Sequence, residues 1–432
     1  MKTILYIAVL AGIGASFMHA QDITGDWQGT LNAGAQQLRI VLHIAKDGEG
    51  RWNGTLYSID QGPDGIPISS LTLQDSTLKF SVDPVHGAYE GTIAADGNTI
   101  AGTWTQGKSL PLEFRRTTKD TAWPLDTSPH SVQFVTVDKD VKLEVLDWGG
   151  SGRPVVLLAG LGNTAHVFDK FASKLTASYH VYGITRRGFG ASSAPVPDST
   201  NYTADRLGDD VLAVCDFLKL NKPVLIGHSI AGEELSSIGS RHRERVAGLI
   251  YLDAGYAYAY YDRSRGDYLI DSIDLQKKLE QLRPGNGPVD QKQLVRELLQ
   301  TDLPRFKKDL QRRQQDLDVM PAALLAAQSS APMPPAARAI IAGEQKYTDI
   351  RVPVLAIFAV PHNLGPIAPK DPAARASYEA HDEIATEAQA KAFEAGVPGA
   401  RVVRIPHASH YVFLSNEADV LREINGFIAN LP

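Results

Sequence analysis

The chain is expected to be an α/β protein preceded by a small all-β unit, and three observations lead there. From Asp22 to Arg116 short strand-like segments follow one another at turn spacing, with no helical periodicity between them. Beyond Pro124 and Pro129, apolar runs of strand length alternate with amphipathic helical stretches, the pattern of a parallel sheet covered on both faces. One of those runs, Pro223 to Ile226, ends in Gly227-His228-Ser229-Ile230-Ala231, a small-x-Ser-x-small turn at a strand-to-helix junction.

With 432 residues the chain is long enough for two or three domains. Residues 1–20 hold a basic residue, Lys2, then the apolar run Ile4 to Ile13 and small residues at Ala15, Ser16 and Ala20. They read as a secretory signal peptide, too short in its apolar part to span a bilayer, so export to the periplasm or the exterior is expected. No later segment is long and apolar enough to span a membrane. The net charge of −6 comes without any dense Lys/Arg block, which argues against a nucleic-acid partner. Cys215 is the single cysteine, so no internal disulfide can form; its apolar spacing suggests a buried helical position.

Residues 21–117 are expected to form the accessory β domain, with strands at Asp26 to Leu31, Gln37 to Ile44, Arg51 to Ile59, Ser69 to Leu73, Thr77 to Val82, Gly87 to Ile93, Thr99 to Gln106 and Leu110 to Arg115. Asp47-Gly48, Asp64-Gly65 and Asp96-Gly97 supply turn chemistry, and the alternation from Leu38 to Ile44 fits a sheet with one buried face. Eight strands without helix suggest a small closed barrel or sandwich, lipocalin-like in outline. Residues 118–130 form a linker, and 131–432 the second domain. Its strands are placed at Ser131 to Val137, Lys142 to Asp147, Pro154 to Leu158, His180 to Ile184, Pro223 to Gly227, Ala247 to Leu252, Val352 to Phe358 and Ala400 to Ile405. Its helices are Val167 to Leu175, Ala204 to Leu220, Glu233 to Arg245, Ser377 to Gly396 and Asn416 to Leu431. Between 255 and 349 the alternation breaks; helical stretches at Ile273 to Leu282, Gln291 to Leu299 and Pro304 to Leu317 make this a helical cap, since a structureless loop of that length is unfavourable in a compact domain.

Ser229 is read as a nucleophile on a tight elbow, beside the simpler reading of a serine favoured at a helix N-terminus for its capping oxygen. A serine nucleophile needs a base. His410 follows the last strand in Pro406-His407-Ala408-Ser409-His410-Tyr411 and precedes the closing helix, a position from which a loop reaches back over the sheet; His407 is its competitor. Two backbone N–H groups must hold the oxyanion. Ile230, next to the serine at the helix start, supplies one; the second is assigned to Leu161 in the glycine-rich loop Ala159-Gly160-Leu161-Gly162-Asn163-Thr164. Glu233 and Glu234, in the first turn of the helix behind the serine, read as dipole-favouring structural residues.

In this order and spacing, Ala159 to Thr164, Arg187-Gly188-Phe189-Gly190 followed by Ser192-Ser193-Ala194-Pro195, Gly227 to Ala231 and His407 to Tyr411 resemble the α/β-hydrolase family over about Ser131 to Pro432. The resemblance implies an α/β-hydrolase fold with a helical cap and a Ser-His-acid triad. It also exposes a departure. The turn where the family usually keeps its acid is Ala359-Val360-Pro361-His362-Asn363, without a carboxylate. Some members carry the acid at the end of the preceding strand, which here points to Asp253, a residue that otherwise only caps the following turn. Asp371, Asp382 and Glu383 are reserves. Tyr256, Tyr258, Tyr260 and Tyr261, entering the cap just after Asp253, either line an acyl pocket or pack the core.

The expected function is therefore a secreted serine carboxylesterase for small or medium esters, working through an acyl-enzyme with a small-molecule ester as partner. No metal or organic cofactor is implied: there is no His-Glu-x-x-His, and the glycine loop lacks a phosphate-loop lysine. An aminopeptidase- or amidase-like serine hydrolase is the alternative, which would need an acidic group in the cap; a non-catalytic ligand-binding protein on the same scaffold is another, made plausible by the missing acid turn.

Overall fold

The computed structural model describes residues 22–33, 36–48, 50–59, 65–118, 120–123, 130–198, 200–283, 290–320, 333–363, 369 and 371–432. The expected leader, residues 1–20, lies outside them. The chain divides into two compact units, Met1–Thr127 and Ser128–Pro432.

Among the described residues the first unit is one antiparallel sheet of nine strands: β1 Gly25–Ala33, β2 Gln36–Lys46, β3 Trp52–Ser58, β4 Ile66–Pro67, β5 Ser70–Gln74, β6 Thr77–Val82, β7 Gly87–Ile93, β8 Thr99–Gln106 and β9 Lys108–Arg116, in the order β4-β3-β2-β1-β9-β8-β7-β6-β5. A single continuous sheet carries every strand among the described residues, in keeping with the small all-β unit expected there. Its two terminal strands are consecutive in the chain. The Ile68 amide donates to Gly54 O on one side of the junction (3.0 Å) and the Ser69 amide to Ser81 O on the other (2.8 Å), so the sheet curves back on itself. The alternation seen in the sequence places Trp27, Leu42, Ile44, Leu78, Phe80, Tyr89, Ile100 and Phe114 in one core. Tyr89 alone among these rings carries a hydroxyl, and it donates to the carbonyls of Ile100 and Leu112 (3.2 and 3.0 Å), so that buried hydroxyl is satisfied.

The second unit is an eight-stranded sheet: β10 Ser131–Asp138, β11 Val141–Gly149, β12 Arg153–Leu158, β13 Tyr179–Ile184, β14 Val224–His228, β15 Gly248–Leu252, β16 Val354–Ala359 and β17 Arg401–Ile405, ordered β10-β11-β13-β12-β14-β15-β16-β17. β10 and β11 are antiparallel and every pairing from β13 to β17 is parallel. Alternate residues of β12 face opposite layers: Val156 and Leu158 pack with α2 (Ala204–Phe217) and α3 (Gly232–Arg241), Val155 and Leu157 with α1 (Asp169–Leu175) and the C-terminal helix Glu417–Ala429. That two-sided burial is why these strands read as unbroken apolar runs. Cys215 sits buried in the α2 layer, where burial pushes its thiol up to about 12.

The cap holds α4 Tyr268–Gln281, α5 Gln291–Glu297, a π-helical stretch Leu298–Asp302, α6 Leu303–Val319 and α7 Pro335–Ala342. α4 begins five residues before the apolar periodicity does, because Asp267 caps it, accepting from the Leu269 and Ile270 amides. The helix after β16, α8 Pro372–Gly396, likewise starts earlier than its apolar pattern, capped by Asp371. No helix among the described residues is long and apolar enough to cross a membrane.

Candidate active site

All elements of the site lie at the carboxyl ends of the parallel strands. Ser229 follows β14 with φ +54°, in the left-handed region that L-residues avoid, at a cost of order 1–2 kcal/mol. Small neighbours make the turn feasible. A Cβ on Gly227 would come within 3.0 Å of Leu235 Cδ1 and 3.1 Å of Ala231 Cβ, whereas one on Gly232 would stand 2.1 Å from Ala254 O. The relaxed Gly-x-Ser-x-Ala pattern is thus explained: the position that tolerates no Cβ is Gly232, one further along, and Ala231 fits.

His410 Nε2 lies 2.9 Å from Ser229 Oγ, and His410 Nδ1 lies 2.6 Å from Asp253 Oδ2. The structure brings together Ser229, His410 and Asp253; His407, exposed in the preceding turn with φ +56°, makes no bond to the serine. A carboxylate only accepts, so Nδ1–H donates to Asp253 and Nε2 is left to accept the Ser229 hydroxyl proton. The histidine loop is docked on the turn after β16 through three backbone bonds: Val360 N to Ile405 O, His407 N to Pro361 O and Asn363 N to Ala408 O.

Asp253 directly follows β15, with φ +46°, and is 0% exposed. Its Oδ1 accepts from the Ala359 amide (3.0 Å) and the Tyr256 hydroxyl (2.8 Å), and its Oδ2 from His410 and from His362 Nε2 (2.8 Å). Burial opposes its ionisation, but the hydrogen bonds from His362 and His410 outweigh that and hold the carboxyl well below the usual range. The reserve acids do not reach His410: Asp371 caps α8, Glu383 is exposed on α8, and Asp382 accepts from His362, at Nδ1 (3.0 and 3.1 Å) and at its backbone amide (2.8 Å). His362 is the residue that sequence reasoning missed. Its signal was present, since the turn singled out for lacking a carboxylate carries a histidine at its tip. Burial would lower the His362 imidazole, but hydrogen bonds to Asp253 and Asp382 push it up to about 10.

His228, before the serine, was also unread. Its Nε2 donates to His410 O (3.0 Å), and its ring packs against His410, Tyr411 and Phe413. Burial, then the neighbouring His410, pushes it down to about 4, which keeps it neutral. The glycine loop presses directly on this pair: a Cβ on Gly160 would meet His228 Nδ1 at 2.8 Å and Ser229 Cβ at 3.1 Å. Arg186 holds the loop from behind, donating to Ala159 O (2.9 Å) while pairing with Glu234 in the core. The Leu161 and Ile230 side chains join Phe189, Tyr258, Ala336 and Ile340 in one apolar cluster that brings the loop, the elbow and cap helix α7 together. Arg187 of the Arg-Gly-Phe-Gly stretch is structural, clamped by both oxygens of Asp210 at 2.6 Å.

Glu234 is therefore a buried ion-pair partner, which corrects its reading as a simple dipole residue. Glu233 is fully buried, and neither of its oxygens has a hydrogen-bond partner among the described residues. Burial, then Glu344 and Glu234, raise its carboxyl far above the usual range; burial and Asp267 push Glu344, at the end of the cap, up to about 8.

Elsewhere, His130, His166 and Asp169 offer a donor set that a metal ion would accept, but the His130 and His166 rings already pair with Asp169 and Glu144. The Asp253, His362 and His410 atoms also lie close together, at hydrogen-bond lengths with imidazole protons between them.

A sequence model described as the Alpha/beta hydrolase family matches residues 155–423, which span β12 to the C-terminal helix. The chain belongs to that family. Fluoroacetate dehalogenase of Burkholderia sp is 30% identical over 116 residues, covering 26% of this chain and 38% of that protein. Epoxide hydrolase 4 of Homo sapiens is 28% identical over 160 residues, covering 35% and 42%. The chain thus spans less than half the length of these relatives. An esterase structure from Exiguobacterium antarcticum aligns with 69% of this chain and 100% of its own at 17% identity and TM-score 0.45.

Proposed function

We propose that this protein is a serine hydrolase, a carboxylesterase acting on small or medium esters, exported by means of the leader at residues 1–20. The observation that carries the reading is the unbroken line from Ser229 Oγ through His410 (2.9 Å) to the buried Asp253 (2.6 Å). Ser229 Oγ attacks the ester carbonyl as its proton passes to His410 Nε2; the imidazolium that forms is stabilised by Asp253. The Leu161 and Ile230 amides take the oxyanion, His410 returns the proton to the departing alcohol, and water releases the acyl group by the same steps in reverse. Leu161, Phe189, Ile230 and Ile340 supply an apolar wall for the acyl chain.

The test is turnover of p-nitrophenyl esters of increasing chain length by wild type and Ser229→Ala, with fluorophosphonate labelling alongside. Turnover and labelling that vanish in the variant support the reading; a variant that turns over esters as fast as wild type sinks it. Export is checked by the N-terminal mass of the protein recovered outside the cytoplasm.

The aminopeptidase- or amidase-like alternative would need an ionised carboxyl for the substrate amine, and burial pushes the cap carboxyl Glu344 up to about 8, which keeps it mostly protonated at neutral pH. Aminoacyl p-nitroanilides cleaved faster than simple esters would move that reading forward.

A further inference from the structure

We propose that His362 is a second charged histidine of this site, a positioning residue that shares Asp253 with His410 and thereby sets the basicity of His410. The inference rests on the serine hydrolase reading above and adds a residue to it.

The geometry argues for the charge by itself. Both ring nitrogens of His362 face carboxylate oxygens, Nε2 at 2.8 Å from Asp253 Oδ2 and Nδ1 at 3.0 Å from Asp382 Oδ2. A neutral imidazole has one N–H and one lone pair, and a lone pair turned toward a carboxylate at that distance is repulsive. Only the doubly protonated ring satisfies both contacts. Asp382 further accepts the His362 backbone N–H (2.8 Å), so the ring is anchored by the chain as well as by charge.

The consequence follows from the shared atom. Asp253 Oδ2 accepts from His410 and from His362 at once, while its Oδ1 is occupied by Tyr256 and the Ala359 amide. A carboxylate that already neutralises one imidazolium stabilises a second one less. His362 therefore competes with His410 for the same oxygen, and removing it should favour the imidazolium of His410. The groups facing His362 are Asp253, Tyr256, Asp382 and, ring to ring at 6.3 Å, His410. Those facing His410 are Ser229, Asp253, His362, Tyr411 and the neutral His228. With His410 neutral, as its role as base requires, His362 is the one cation among these groups. Asp253 and Asp382 together keep it charged.

The experiment titrates the carbon-bound imidazole protons of His410 by NMR in wild type, His362→Gln and Asp382→Asn, with the pH dependence of fluorophosphonate labelling recorded on the same proteins. Removing the cation should raise the His410 midpoint by about one unit, a roughly tenfold loss of labelling rate on the acid side with the alkaline plateau kept. Asp382→Asn should move the midpoint the same way, and Asp382→Glu should restore it. A merely structural His362 would lower labelling at all pH values and leave the midpoint in place, which overturns the inference. If His362→Gln does not fold, Asp382→Asn, which keeps the ring, decides alone. Unlabelled wild type with a shifted His410 midpoint would instead count against the serine hydrolase reading while the coupling stands.

Discussion

Replacing Asp253 by asparagine tests the site at its least replaceable atom. The carboxylate is fully buried and accepts four hydrogen bonds, from His410, His362, Tyr256 and the Ala359 amide. An amide keeps the size and can still accept from Tyr256 and Ala359 through its oxygen. Its NH₂ then faces the two imidazoles, so His410 must offer a lone pair at Nδ1 and carry its proton on Nε2, where it blocks acceptance from Ser229. Loss of the triad carboxylate is worth roughly 10⁴ in rate, which is about 5.5 kcal/mol of transition-state stabilisation. A second cost falls on the fold: the His362 cation keeps only Asp382, and breaking a buried charge pair costs about 3–5 kcal/mol. The carboxyl of Asp253 is held below its ordinary value, so its share of stability is present above the unfolded-state pKa and is lost as pH falls through the folded one; Asp253→Asn should flatten that acid-side loss. The assays are kcat/KM on the best p-nitrophenyl ester and thermal unfolding on the same preparation. A folded variant that retains more than a tenth of the wild-type kcat/KM would refute Asp253 as the acid that orients His410.

Two further changes address the loop and the cap. Gly160→Ala drives a methyl to within 2.8 Å of His228 Nδ1 and 3.1 Å of Ser229 Cβ, in a ring stack with no room to yield, so it should cost about 1–3 kcal/mol in stability and at least about tenfold in kcat; unchanged kinetics would mean the loop is not part of the reacting site. Glu344, pushed up to about 8, contributes stability that is complete below its unfolded value and is lost as pH rises through 8. Glu344→Gln should narrow the difference in unfolding temperature between pH 5 and pH 9, measured by calorimetry, and an unchanged difference would place the titration elsewhere.

The sequence by itself determined the architecture and singled out Ser229 as the candidate nucleophile. Strands buried on both faces betray themselves as apolar runs, and an elbow needs small residues at set positions, so β12 to β17, Ser229 and the loop from Ala159 to Thr164 were all legible from local pattern. The all-β unit was legible for the same reason, through alternation and Asp-Gly turns, but the order of its strands in one sheet was not, since that order depends on pairings far apart in the chain. His410 over His407, and Asp253 over Asp371, Asp382 and Glu383, were preferred from their places along the chain, while only the tertiary structure shows which of them lie within hydrogen-bond reach. These side chains come from separate strand ends and meet across 157 and 181 positions of sequence, where no local signal reports a 2.6 or 2.9 Å contact. The same holds for His362 and Asp382: the turn advertised only the absence of an acid, while the fold turns that gap into a second imidazole on the shared carboxylate. Local chemistry is written in spacing, and its coupling is decided by which loops the sheet brings to one edge.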